Sequence, residues 1–175
     1  MKEILLTQGQ VALVDDWNYE RVNQYKWYAT RVGETFYAVR WIKLRSAKDA
    51  REIGLPRGGK IQMHRFIMNT PQGMETDHVN HNPLDNQEHN LRNCTHIQNI
   101  RNQFYNKGTS KYKGVTWHKY AKKWMASIRR NGESVHLGYF SNEGEAAKAY
   151  DAKAVELFGE FAFPNFPERV FASIY

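Results

Sequence analysis

The sequence predicts an α+β fold of small antiparallel sheets and short helices, and three observations carry that expectation. Short aromatic and β-branched runs are separated by glycine-containing turns; an alanine-rich helical repeat follows the last of them; and a polar middle segment lies between. At 175 residues the chain is one domain or two small ones, long enough to bury a core. With 41% hydrophobic and 14% aromatic residues, disorder is not expected.

Val11 to Val14 reads as a short strand, and Asp15 or Asp16 is placed to cap a helix running to about Gln24. Trp27 to Val32 and Thr35 to Lys43, joined by Gly33-Glu34, read as a β-hairpin. Residues 46–60 are polar, contain Pro56 and Gly58-Gly59, and read as an exposed loop. Ile61 to Met68 is an apolar island too short to assign to strand or helix. The segment 69–99 is dense in Asn, Asp and His, with Pro71, Gly73 and Pro83. Burial alone cannot hold it, so it needs side-chain hydrogen bonds or a metal. Residues 103–110 read as a linker.

From Lys111 the pattern is regular. Lys113 to Trp117, Trp124 to Arg130 and Ser134 to Phe140 read as three strands, and Asn131-Gly132 signals a type I′ hairpin turn because both residues tolerate positive φ. Asn142 followed by Glu145 marks a helix start. Ala147, Tyr150, Ala154, Leu157 and Phe161 then recur at helical spacing, and Gly159 supplies a stop. A three-stranded antiparallel sheet with one packed helix follows. In its middle strand Trp124, Ala126 and Ile128 share the face expected to pack, leaving Met125, Ser127 and Arg129 open to a ligand.

The formal charge of +7 is unevenly spread. Residues 1–88 carry 12 basic and 11 acidic side chains, residues 89–132 carry ten Lys or Arg and no acid, and residues 133–175 carry three basic and seven acidic. A block of one sign interleaved with Tyr, Trp and His suits a polyanion, and the missing apolar helical stripe favours nucleic acid over a membrane. No apolar run approaches the ~20 residues that span a bilayer. The start Met1-Lys2-Glu3-Ile4-Leu5-Leu6 is too soon acidic for a signal peptide. The single Cys94 excludes an internal disulfide, suits a reducing compartment and reads as a small buried residue rather than a zinc ligand. A cytoplasmic monomer, without an obligate protein partner, is expected.

Chemistry is expected at Asp77, His78, Asn90 and Asn99. Phosphodiester hydrolysis needs a base for water and a cation for the charge on phosphate. A hard ion such as Mg²⁺ or Mn²⁺ takes oxygen ligands and keeps waters, which suits the oxygens of Asp77 and Asn99. His78 titrates near neutrality, as a general base requires, and Asn90 can donate and accept at once to brace the loop that aims it. On residue types alone, turn chemistry is the commoner explanation of the same residues.

The spacing adds a resemblance. His64-Arg65, Thr76-Asp77-His78-Val79-Asn80, Leu84-Asp85-Asn86-Gln87, Asn90-Leu91-Arg92-Asn93-Cys94-Thr95 and Gln98-Asn99 together resemble the HNH endonuclease motif, in the Asp-His…Asn…Asn form of phage and intron-encoded homing endonucleases. Tyr112-Lys113-Gly114-Val115, Trp124, Ile128-Arg129, Leu137-Gly138-Tyr139-Phe140, Glu145 to Asp151 and Asn165-Phe166 resemble an AP2 DNA-binding domain. Leu6 to Gln10, Val14-Asp15, Trp27-Tyr28 and Tyr37 to Arg40 are similar to the segment preceding such nucleases.

The resemblance implies a ββα-metal nuclease core (61–104) after a β-rich segment (1–60), a linker (105–110) and an AP2-like domain (111–175). It implies His78 as general base, Asp77 and Asn99 as ligands of one Mg²⁺ or Mn²⁺ per active site, and Asn90 as the structural Asn of the motif. Products would be a 5′-phosphate and a 3′-hydroxyl, and one site per chain would nick one strand of double-stranded DNA. Gln87 stands where relatives usually carry Arg. On the AP2 side Arg129 is kept, and Thr116, Ser127 and His136 fall at the base-reading positions. Lys113, Lys119, Lys122, Lys123 and Arg130 are expected on phosphates, Trp117 as a stacking candidate, and Arg92 and Arg101 as further DNA contacts. In a phage-encoded protein the compartment would be the bacterial host's cytoplasm. The alternative is a DNA-binding regulator with a decayed nuclease core.

Overall fold

The computed structural model describes residues 1–43, 59–103 and 108–167. The chain divides into two compact units, Met1–His96 and Ile97–Tyr175.

In the first unit β1 (Lys2–Leu5) pairs antiparallel with β2 (Val11–Val14), Lys2 opposite Val14. Helix α1 (Asp16–Asn23) follows, then β3 (Tyr28–Val32), β4 (Thr35–Trp41) and β5 (Lys60–Gln62) form a sheet in that order. A short helix α2 (Met63–Ile67) leads to the antiparallel pair β6 (Glu75–His78) and β7 (Leu91–Cys94). One apolar core serves the whole unit: Ile4, Val14, Val22, Trp27, Ala38, Met63, Ile67 and Leu91 are buried together. The island at 61–68 resolves as both kinds of element, because β5 gives way to α2 at Met63. Asp15 stands at the N-cap of α1, but its side chain makes no cap bond to that helix; its Oδ2 accepts from the Glu88 amide at 2.7 Å instead. The exposed loop expected at 46–60 lies largely outside the described residues, although Lys60 is already in β5.

Helix α3 (His96–Arg101) begins at the boundary between the units. In the second unit β8 (Val115–His118), β9 (Lys123–Arg130) and β10 (Glu133–Phe140) form an antiparallel sheet in the order β10-β9-β8, and α4 (Glu143–Phe158) packs on it. The turn residues Asn131 and Gly132 have φ of 53° and 88°, the positive values a I′ turn requires. The Asn142 carboxamide oxygen caps α4 by accepting from the amides of Gly144 at 2.7 Å and Glu145 at 3.3 Å. Val115, Ala126, Ala146 and Ala147 form one buried cluster, and Ile128, Tyr150, Ala154 and Ala162 another. Gly114 lets Tyr150 reach the sheet, since a Cβ there would lie 1.9 Å from Tyr150 Cδ2. Of the expected linker, residues 104–107 lie outside the described residues, whereas Ser110 is buried and its hydroxyl donates to Glu143 at 2.7 Å.

Candidate active site and nucleic-acid interface

His78 ends β6, and its neighbours are assembled from across the first unit. Pairing with Leu91 and a bond from the Val79 amide to Asn90 O at 2.9 Å fix its backbone. The twelve residues from His78 to the start of β7, 79–90, form a loop held by side chains rather than by apolar burial. Asn90 spans it: its Oδ1 accepts from the Asn80 amide at 2.8 Å and its Nδ2 donates to Asp85 O at 2.8 Å. Asn80 Nδ2 reaches Asp85 Oδ2 at 2.7 Å, and Gln87 Nε2 reaches Asp85 Oδ1 at 2.9 Å, so Gln87 is bound into the loop. Asn80 and Asn82 each accept from a backbone amide two residues on, which tightens the turn.

Strand β2 and helix α1 clamp the same loop. Leu13 donates to Leu84 O and accepts from the Asn86 amide, both at 2.8 Å, while Asn18 Nδ2 donates to Glu88 Oε1 at 2.7 Å. The β-rich beginning of the chain thus positions the loop following His78.

Successive residues of a strand leave it on opposite sides, and Asp77 and His78 meet different neighbours. Asp77 faces its cross-strand partner Arg92, whose Nε and Nη2 both donate to Asp77 Oδ2, at 3.0 and 2.7 Å. Both side chains are largely buried, so Arg92, expected on DNA, is committed to a buried ion pair with Asp77. His78 turns toward His64 and Tyr37, with ring centroids 4.8 Å and 6.4 Å away. Its Nε2 is buried and meets no hydrogen-bond partner among the described residues. Burial holds the His78 imidazole below its ordinary pKa, opposed by the Asn86 amide beside it and by the Asp77 and Asp85 carboxylates. His64 is held well below its ordinary value, first by burial and then by His78 and Arg65. Two neutral rings therefore lie side by side at neutral pH.

A hard cation is compatible in kind with the Asp77 carboxylate. No group of three or more His, Cys, Asp or Glu is disposed to hold a metal ion among the described residues, so such a cation would rely on neutral oxygens and water besides Asp77. Asn99 lies on α3 and counts with the second unit, as does Arg101, whose guanidinium stacks over Phe158 at 4.4 Å.

In the second unit, register decides which residues face outward. Thr116, His118, Lys123, Met125, Ser127, Arg129, Ser134, His136 and Tyr139 share the sheet face turned away from α4. Thr116, Ser127, Arg129 and His136 thus lie on one surface, with Lys119, Lys122 and Arg130 exposed elsewhere on the unit. Two expectations change. Trp117 lies directly opposite Trp124, with rings 5.1 Å apart, so it belongs to the helix-side face and is not presented for base stacking. Lys113 turns inward, donating to Arg101 O at 2.7 Å and Gln103 O at 2.6 Å, and burial pulls its pKa down to about 8. Its ammonium caps the end of α3 rather than a phosphate. The sequence reading missed His118 and Tyr139: Tyr139 lies between His118 and His136 with steeply inclined rings, at 5.0 and 4.7 Å. Period-two alternation in β8 and β10, counted from the buried residues, is the signal that would have found them.

No family model matches the chain. It is 33% identical over 164 residues to an uncharacterized HNH endonuclease of Acanthamoeba polyphaga mimivirus, an alignment covering 90% of this chain and 76% of the relative. It is also 34% identical over 96 residues to an AP2-like ethylene-responsive transcription factor of Arabidopsis thaliana, and 35% identical over 104 residues to APETALA2-like protein 2 of Oryza sativa subsp. indica. Those two alignments cover 48% and 54% of this chain but only 17% and 24% of the plant proteins. No described helix is long and apolar enough to cross a membrane. With a relative of that identity aligned along nearly its whole length and AP2 similarity over about half of it, the chain belongs to the HNH endonucleases and joins the nuclease to an AP2-like DNA-binding domain.

Proposed function

We propose that the chain is a site-specific DNA endonuclease of homing type, hydrolysing a phosphodiester with one divalent cation and nicking one strand per active site. The observation that carries this reading is His78 Nε2, a buried ring nitrogen of the Asp-His motif with no hydrogen-bonding atom within 3.5 Å, although the Asn86 side chain lies beside the ring. An unmatched polar atom is costly unless a water or substrate group meets it.

His78, kept neutral by burial, takes the proton of the attacking water as its oxygen bonds to phosphorus. The 3′ oxygen departs and is protonated by solvent, giving a 5′-phosphate and a 3′-hydroxyl. Asp77, held by Arg92, and Asn99 are the residues assigned to the cation, Mg²⁺ or Mn²⁺. Bound there, the cation would supply positive charge to the phosphate and the leaving oxygen. Asn90 keeps the loop beyond His78 in one shape. Thr116, Ser127, Arg129 and His136 read the duplex, and surface lysines contact its phosphates.

Supercoiled plasmid carrying the target, incubated with Mg²⁺ or Mn²⁺, should be nicked by the wild type, unchanged in EDTA, and spared by His78→Ala. Binding without cleavage under every divalent cation would instead assign the chain to DNA-binding regulators.

A further inference from the structure

His78 has a second requirement that its backbone does not meet. Strand pairing fixes its Cα and Cβ, but the final torsion of an imidazole is broad and roughly two-fold, so packing must choose where the ring nitrogens point. Here the Asn86 side chain lies beside the ring, and the packing against its faces and edges comes from two other rings. His64, on α2 and only 5% exposed, meets His78 edge to face with 4.8 Å between centroids and 85° between planes. Tyr37, on β4, meets both edge-on, with centroids 6.1 Å from His64 and 6.4 Å from His78 and planes inclined at 67° and 68°. Such edge-on contacts are attractive and directional. The wedge is itself held: Met68 donates from its amide to His64 O at 3.0 Å, and the neighbouring Met63 and Ile67 lie in the core.

We propose that His64, backed by Tyr37, is the positioning residue for His78, a flat wedge that fixes the ring rotation aiming the candidate base at its water. The inference rests on the nuclease reading for its consequence but on the three-ring contact for its geometry. It gives part of the β3–β4 hairpin a task in the active site. Because the wedge works by shape, a planar ring should replace His64 and an aliphatic side chain of similar bulk should not.

The test compares His64→Phe with His64→Leu in the full-length protein. Three quantities are read: single-turnover nicking of supercoiled plasmid, DNA affinity without metal, and the ¹⁵N and ¹³C signals of the His78 ring. His64→Leu should slow nicking at least tenfold with DNA affinity within twofold, and its His78 ring signals should broaden or shift. His64→Phe should stay within threefold of the wild type and keep those signals sharp. Tyr37→Leu, which lies one ring further out, should fall between them. Equal rates for the two His64 variants, or unaltered His78 signals in His64→Leu, would overturn the wedge; a merely space-filling His64 gives that result. Should the wild type nick nothing under any divalent cation, the nuclease reading fails while the ring signals still decide the wedge.

Discussion

The polar loop behind His78 and the sheet-and-helix body of the second unit solve the same problem by opposite means. Between Val79 and Leu91 few apolar side chains are buried, and order comes from Asn, Asp and Gln side chains bonding to backbone and to one another. In the second unit order comes from alanines that let α4 lie close on β8 to β10. Side-chain hydrogen bonds hold a particular shape at modest net gain, and they place polar atoms where chemistry needs them. Close packing yields a scaffold that tolerates any solvent-facing chemistry on its outer face. Damage should therefore remain local in the first case and spread in the second.

The largest effect expected is at the packing contact. Gly114→Ala would force a methyl group into the Tyr150 ring at a φ of +76°. Overpacking and the unfavourable backbone together should cost about 4 kcal/mol, read by urea unfolding. Amide exchange should quicken throughout β8, β9 and α4. Protection that is lost only beside residue 114 would break the contrast.

Asn90→Ala should cost less, about 2 kcal/mol, for the two bonds removed and the polar groups they leave behind. Its signature is confinement: amides at 79–91 exchange faster while β1 to β4 stay protected. Nicking should fall further than stability, because the loop loses its shape before the unit loses its core. Faster exchange at β2 would show that the loop and the core are one cooperative element.

The same contrast explains what the sequence disclosed. The second unit was legible because its signals are local: alternation in β9, the Asn131-Gly132 turn, the Asn142 cap and the spacing of Ala147, Tyr150 and Ala154 each occupy a few consecutive residues. The inward turn of Trp117 and Lys113 was not, because it depends on register and on which carbonyls a distant helix end offers. In the first unit Asp77, His78 and Asn90 stood out by type and spacing. Their partners did not: Arg92 is defined by cross-strand pairing, and Tyr37 and Leu13 by contacts forty or more residues away in sequence from His78. β1 escaped notice because four residues with one buried side chain carry no periodicity.

The smallest effect separates the units by pH rather than by mutation. An unfolded chain takes up protons on His64 and His78 near the ordinary imidazole value of 6.5, whereas burial makes both folded rings resist protonation. Below that pH the unfolded state binds more protons, so the stability associated with these two rings is present above 6.5 and is lost as the pH falls toward their depressed folded values. Asp151, buried in the second unit and accepting from the Asn165 and Phe166 amides, is shifted the other way: burial raises its pKa above 3.8 despite those bonds. There the folded state binds the extra proton, so its contribution grows as the pH falls from its raised value toward 3.8. Taking the protein from pH 7.5 to 5.5 should therefore lower amide protection factors, taken relative to the slower intrinsic exchange in acid, in β2 and β6 more than in β9 and α4. His64→Phe, which removes one of the two resisting rings, should shrink that difference. A uniform response of both units, or an undiminished difference in His64→Phe, would show that acid sensitivity does not come from the paired histidines.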